Sequence, residues 1–131
     1  MIGLDTNVLV RYLAQDDPVQ TRRATELIES LTAESPGFIS QVVLVETVWV
    51  LESCYAADAA RIAQVVETLL QVETLVVDEA DIAWRGLRQF KQAGGDFADA
   101  LIAALAGRAG CETVYSFDRG AAKRFGMTLL Q

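Results

Sequence analysis

The stretch MIGLDTNVLVRYLAQDDPVQ, Met1 to Gln20, decides the reading of the fold. Its apolar run Ile2 to Leu4 stops abruptly at Asp5, the pattern of a short strand that ends on a polar residue. From Thr6 to Ala14 apolar side chains recur at helical spacing, so a short helix follows. Asp17-Pro18 then reads as an N-cap before a proline at the first helical position, and opens a second helix to about Glu34.

Working outward, the alternation continues. Gly37 to Ile39 is a short strand, and Ser40 caps a helix to about Tyr55. Asp58 caps another, with Ile62, Val65, Val66, Leu69 and Leu70 on one face. Leu75 to Val77 is a strand. Asp78 to Asp81 resembles an acidic capping box for a helix that ends at Gly94-Gly95. Asp96 opens a helix ending near Gly110, and its stripe Leu101, Ile102, Leu105 reads as core. Thr113 to Tyr115 is a strand, Asp118 starts a last short helix, and Met127 to Leu130 is a final strand. Strands separated by helices predict an α/β protein: three layers, α/β/α, around a central parallel sheet of about five short strands. Right-handed crossovers place helices on both faces, and ligands then sit beyond the carboxyl ends of the strands.

The chain has 131 residues, 52% of them hydrophobic, which fits one compact domain spanning residues 1–131. A chain of this size buries roughly two-thirds of its unfolded surface, enough for a core without staples. Eleven basic residues against 18 acidic leave a net charge of −7, which excludes a general basic surface for nucleic acid. Histidine is absent. That removes Ser-His-Asp and Cys-His catalysis, paired-histidine hydrolysis of RNA and almost every zinc site. Cys54 and Cys111 make neither a metal spacing nor a disulfide framework and read as buried small hydrophobes. No apolar stretch approaches the ~20 residues of a membrane span, and the first residues lack the basic start and long apolar run of a signal peptide. The expectation is a soluble, reduced, cytoplasmic protein without membrane contact.

Four carboxylates stand out, Asp5, Glu46, Asp99 and Asp118, each with an ordinary alternative. Asp5 and Asp118 both follow a strand end, where they serve equally well as helix caps or as site ligands. Glu46, in QVVLVETVWVLE, has Val42, Val43, Trp49 and Val50 three and four residues away. Helical geometry therefore puts it on a buried stripe, where a glutamate needs a partner. Its alternatives are a buried ion pair with an arginine or a wet helix side. Asp96 and Asp99, in GGDFADALIAALA, suit the N-cap and first turn of their helix. Asp16, Asp17, Asp58, Asp78, Glu79 and Asp81 read as caps and solvated charge. If the four converged at one sheet edge, they would not all ionise without raised pKa values or a bound cation. Oxygen donors without His or Cys select Mg²⁺ or Mn²⁺. Such a site activates water and neutralises a phosphodiester, and its metal draws a polyanion to an acidic protein.

The segments MIGLDTNVLVRYL, VVLVETVWVL, DFADALIAALA and SFDRGAAKRF resemble, in order and spacing, those of a PIN domain, and within that family the VapC-type toxins of bacterial toxin–antitoxin pairs. The resemblance covers nearly the whole chain. It implies a metal-dependent endoribonuclease that hydrolyses RNA by metal-activated water, that forms a homodimer and that is inhibited by a cognate antitoxin. Carried over residue by residue, the catalytic and metal-binding acids are Asp5, Glu46, Asp99 and Asp118. Asp96 is a second-tier ligand, and Thr6 and Asn7 give local support. Ser116 stands where relatives often have Thr, and retains the hydroxyl.

Arg11 follows Asp5 by more than a helical turn and reads either as a substrate-phosphate contact or as the partner of a carboxylate. Arg119, Lys123 and Arg124, with Arg108, are candidates for an RNA-facing rim, although a solvated face is the commoner meaning of such charge. Trp49 and Trp84 read as core or interface residues rather than base-stacking platforms, and Phe97 reads as a packing residue. Two rivals stand beside the nuclease. One is a non-catalytic binding module that contacts RNA or a protein. The other is a phosphatase with Asp5 as nucleophile, disfavoured because Asn7 occupies the place of its second aspartate. No G-x-G-x-x-G follows the first strand, which disfavours a dinucleotide enzyme.

Overall fold

The structure is a computed structural model that describes residues 1–131, and the chain divides into two compact units, Met1–Asp78 and Glu79–Gln131. The first unit contains β1 (Ile2–Gly3), α1 (Thr6–Ala14), α2 (Pro18–Glu29), β2 (Gly37–Ile39), α3 (Gln41–Tyr55), α4 (Ala59–Gln71) and β3 (Leu75–Val77). The second contains α5 (Ala80–Ala93), α6 (Phe97–Arg108), β4 (Tyr115–Ser116), α7 (Arg119–Phe125) and β5 (Thr128–Leu129). The protein is therefore α/β with parallel strands only, and no helix is long and apolar enough to cross a membrane.

The five strands pair as two small sheets. In the first unit the order is β1-β2-β3, with Ile2 opposite Gly37 and Ile39 opposite Val77. Because these strands run the same way, Asp5, Ser40 and Asp78 all follow strand ends at one edge. Two backbone bonds lengthen the ladder there, Leu4 to Phe38 at 2.9 Å and Asp78 to Ile39 at 2.9 Å. In the second unit β4 pairs with β5, Tyr115 opposite Thr128, and the hydroxyls of Thr113 and Thr128 meet at 2.6 Å.

Helix starts follow the sequence reading because carboxylates and a serine accept the N–H groups that no preceding turn can bond. Asp17 accepts from Val19 and Gln20, Ser40 from Val43 and Asp58 from Arg61. β4 forms at Tyr115–Ser116 rather than at the expected Thr113 to Tyr115, and two helix ends also differ. α2 ends at Glu29, five residues before the expected Glu34, because the Ser30 hydroxyl bonds back to Leu27 and Thr32 and Ser35 close a turn on each other. The acidic capping box before α5 is not formed. Glu79 adopts a left-handed conformation (φ 52°) and caps nothing, because its carboxylate and that of Asp81 pair with Arg108.

The core of the first unit is built from Leu9, Ile39, Leu44, Ile62 and Val66, all fully buried. That of the second centres on Phe90 and Phe97, which meet edge to face at 5.8 Å, with Ile82, Leu87 and Leu101 around them. Gly86 lets α5 and α6 approach, since a Cβ there would sit 2.9 Å from Leu101. Several packing expectations are overturned. Ile102 and Leu105 are exposed rather than core, and Cys54 and Cys111 are exposed rather than buried, while Trp49 is exposed, which leaves the interface and not the core of its two alternatives. The reason is that α3 and α6 are apolar nearly all round, so spacing alone does not identify the inward face. The inward stripe of α3 is Leu44, Thr47, Val48, Leu51, and that of α6 is Phe97, Ala100, Leu101, Ala104.

This assignment of the α3 face predicts opposite outcomes for two similar truncations. Leu44→Ala should lose about 3 kcal/mol of stability in urea unfolding, from lost burial plus a cavity. Val42→Ala, at a position 74% exposed, should stay within about 0.5 kcal/mol. Equal losses would mean that the face is assigned wrongly.

Candidate active site

The first unit supplies Asp5 and Glu46. Asp5 leaves β1 in an extended conformation and caps α1, its Oδ1 accepting the Thr6 N–H at 2.8 Å. Thr6 is buried, and its hydroxyl donates to Glu46 Oε1 across 40 residues of sequence. That bond ties the start of α1 to the second turn of α3 and fixes one oxygen of a glutamate that would otherwise swing freely.

Glu46 itself is exposed, which corrects the buried position expected from its apolar neighbours. Two of them, Val42 and Trp49, are themselves 74% and 61% exposed, so the stripe they share faces outward. Glu46 and Asp5 border an open cleft of about 390 Å³, which Thr6, Asn7, Tyr55 and Cys54 also line. Val50 and Cys54, one and two helical turns beyond Glu46, continue this wall, so Cys54 faces the cleft.

One side of the cleft is a polar cluster that the sequence reading missed. Arg11 donates to Gln20 at 2.7 Å, and to both Asp16 and the Tyr55 phenol at 3.2 Å. The phenol in turn donates to Asp16 at 2.6 Å. That hydrogen bond, with the Arg11 charge adding to it, holds the Asp16 carboxyl below the usual range, and it pushes the Tyr55 phenol up. Arg11 is thus bound to a carboxylate, the alternative its position had left open, while its side chain still lines the cleft. Tyr55 carried no sequence signal, since its partner Asp16 is 39 residues away.

The second unit supplies the other acids. Asp96 caps α6, accepting the Ala98 N–H at 2.7 Å, and Asp99 follows one turn later, half-buried. Asp118 caps α7, accepting from Ala121 at 3.0 Å, and its own N–H donates to the Ser116 hydroxyl at 3.0 Å. Ser116 therefore holds the backbone of Asp118, a role its position two residues earlier permits. Burial raises the pKa of Asp99, and the charges of Asp96 and Asp118 raise it further. In the second unit the charges of Asp96 and Asp118 thus act on Asp99, although no group of three or more carboxylates or thiols stands close enough to hold a metal ion. The donor chemistry nonetheless suits a hard cation: carboxylate oxygens, partly desolvated, with surplus negative charge.

Of the basic candidates, Arg119 and Lys123 are exposed and border an open groove. Arg108 is removed from the rim, because Glu79 and Asp81 neutralise it.

Residues 2–126, a span that includes parts of both units, match the family model described as PIN domain. The chain is also similar to a VapC ribonuclease of Aquifex aeolicus (strain VF5). The two are 30% identical over 118 residues, which is 88% of this chain and 86% of the relative.

The raised pKa of Asp99 has a stability consequence of definite sign. A carboxyl whose folded pKa lies above its unfolded value favours folding at low pH, and that contribution disappears as the pH rises through the folded pKa. At neutral pH, without metal, Asp99→Asn should therefore melt higher than the wild type. The difference should shrink as the pH falls through the ordinary carboxylate range. A gap that is independent of pH would show that repulsion is not its cause.

Proposed function

We propose, on the premise that this chain belongs to the PIN-domain family of VapC type, that it is a divalent-metal-dependent endoribonuclease, the toxin of a toxin–antitoxin pair. The observation that carries the reading is the family match over residues 2–126, and the partly desolvated Asp99 beside Asp96 and Asp118 supports it. Such a group gains from a cation. Asp5, Glu46, Asp99 and Asp118 are the acids that hold Mg²⁺ or Mn²⁺, with Asp96 as a second-tier ligand. When bound, the ion supplies a Lewis acid that lowers the pKa of water and neutralises a phosphodiester.

The chain's own residues supply orientation. The Thr6 hydroxyl directs Glu46, the Thr6 N–H directs Asp5, and Ser116 holds the turn that presents Asp118. Asn7 lies in the same cleft as Asp5 and Glu46 and supports them. With no histidine in the chain, no side chain stands out as general base. Arg119 and Lys123 contact RNA phosphates, and Arg11 makes a weaker contact because Asp16 already neutralises much of its charge. Val42 and Trp49, exposed on α3, suit the surface of a homodimer, and an antitoxin is the protein partner. The setting is the cytoplasm.

A second reading has one observation in its favour. No three acids stand close enough together to hold a metal ion, as in a binding module without catalysis. Cleavage separates the two readings. With Mn²⁺ the purified protein should cut a mixed RNA pool into discrete fragments, and EDTA, Asp5→Asn or Glu46→Gln should abolish the cutting. Thr6→Val, which leaves every acid in place, should slow it by about tenfold or more, as loss of a ligand's hydrogen-bond partner does. A binding module would show no Mn²⁺-dependent fragments. Independently, Mn²⁺ at 100 times its dissociation constant should stabilise the fold by about 2.7 kcal/mol. An unchanged melting temperature at saturating metal would favour the module.

A further inference from the structure

The last helix carries a cluster of positive charge in a chain whose net charge is −7. Arg119, Lys123 and Arg124 border an open groove of about 580 Å³ with Ala93 and Gly120. Arg124 differs from its neighbours in being held. Its Nε donates to the Ala93 carbonyl at the end of α5, at 3.2 Å. Its side chain lies across two glycines. A Cβ on Gly95 would stand 2.6 Å from Arg124 Cδ, and a Cβ on Gly120 would stand 2.7 Å from Arg124 Nη1. Gly95 also has φ +83°, but Gly120 lies within α7 and needs no glycine for its backbone, so the space it leaves serves the guanidinium.

The same empty position over Gly120 is 3.2 Å from Asp118 Oδ1, so the guanidinium and that carboxylate flank one small space without forming an ion pair. Arg11 and Arg108, by contrast, are paired with carboxylates. An arginine held still loses rotamer freedom and keeps a planar fork of oriented donors. Here one donor bonds a carbonyl, and the Nη donors remain for a ligand. The oxygens of a tetrahedral oxyanion match that fork.

We propose that Arg124 is a substrate-binding residue whose guanidinium takes the non-bridging oxygens of an RNA phosphate beside Asp118, with Gly95 and Gly120 as its seat. The proposal rests on the nuclease reading and adds to it the residue that anchors the backbone and the reason that two glycines lie beneath it. Arg119 and Lys123, bordering the same groove, follow the strand by charge alone.

The test is steady-state cleavage of a 5′-labelled single-stranded RNA of mixed sequence by the full chain with Mn²⁺, at several salt concentrations. Arg124→Gln should raise KM about tenfold, leave kcat within about threefold, and lower the salt slope by about one, as for one lost phosphate contact. Arg124→Lys keeps the charge but loses the fork, and should raise KM nearly as much. Arg88→Gln, an equal charge change at an exposed position of α5, should leave KM unchanged. Gly120→Ala should raise KM in the wild-type background and add nothing to KM in Arg124→Gln, whatever it does to kcat through Asp118. Arg124→Gln or Arg124→Lys with wild-type KM would overturn the clamp, and would leave the groove to an acidic protein segment. A KM unchanged beside a lowered melting temperature would make Arg124 a strut and overturn it as well. A wild type that cuts no RNA would instead overturn the nuclease reading, and the clamp with it.

Discussion

An α-helix begins with N–H groups that no preceding turn can accept, and this protein meets that requirement largely with carboxylates. Asp5, Asp96 and Asp118 each spend one oxygen on the backbone of the helix they start. The bond holds the side chain in place and leaves the second oxygen for other work. Capping and ligation are therefore not competing explanations for these residues. The cap is what turns a flexible acid into an oriented one, and the positive end of the helix dipole moderates the charge it carries. Asp99, which lies inside its helix rather than at the cap, carries the unrelieved repulsion.

The same logic of fixing a flexible group recurs at each position that matters. Glu46 is held by the Thr6 hydroxyl, a bond possible only because Thr6 is the buried first residue of α1. Ser116 holds the backbone ahead of Asp118, and two glycines with a helix-end carbonyl hold Arg124. Neutral side chains and backbone do the positioning, so the charges themselves stay available. Arg11 and Arg108 show the opposite use, their charge taken up by nearby carboxylates.

Much of this was legible in the sequence, for identifiable reasons. α1, β2, α3 and β3 fall where their caps and apolar runs put them, because Asp5, Ser40 and the short runs Gly37–Ile39 and Leu75–Val77 are local signals. The family, too, was legible in the order of four acidic segments. The orientation of α3 was not. Its outward stripe of Val42 and Trp49 is as apolar as its inward one, so Glu46 was placed indoors by neighbours that are themselves exposed. Glu79 was misread as part of a cap because Arg108, its partner, is 29 residues away. Tyr55 escaped notice as a site residue because its role depends on a contact with Asp16, and Arg124, read as one charge of a basic rim, gave no sign that two glycines seat it, since only the folded chain brings these together.

The proposal at the centre of this account is that Asp5, Glu46, Asp99 and Asp118 act as one set of ligands for a divalent cation. Titration of Mn²⁺ into the purified protein, followed by electron paramagnetic resonance of the free ion, tests it most directly. The account predicts saturable binding that weakens sharply in Glu46→Ala and in Asp99→Ala alike. Binding that is lost in Asp99→Ala but unchanged in Glu46→Ala would contradict it, and would confine the ion to the acids around Asp99.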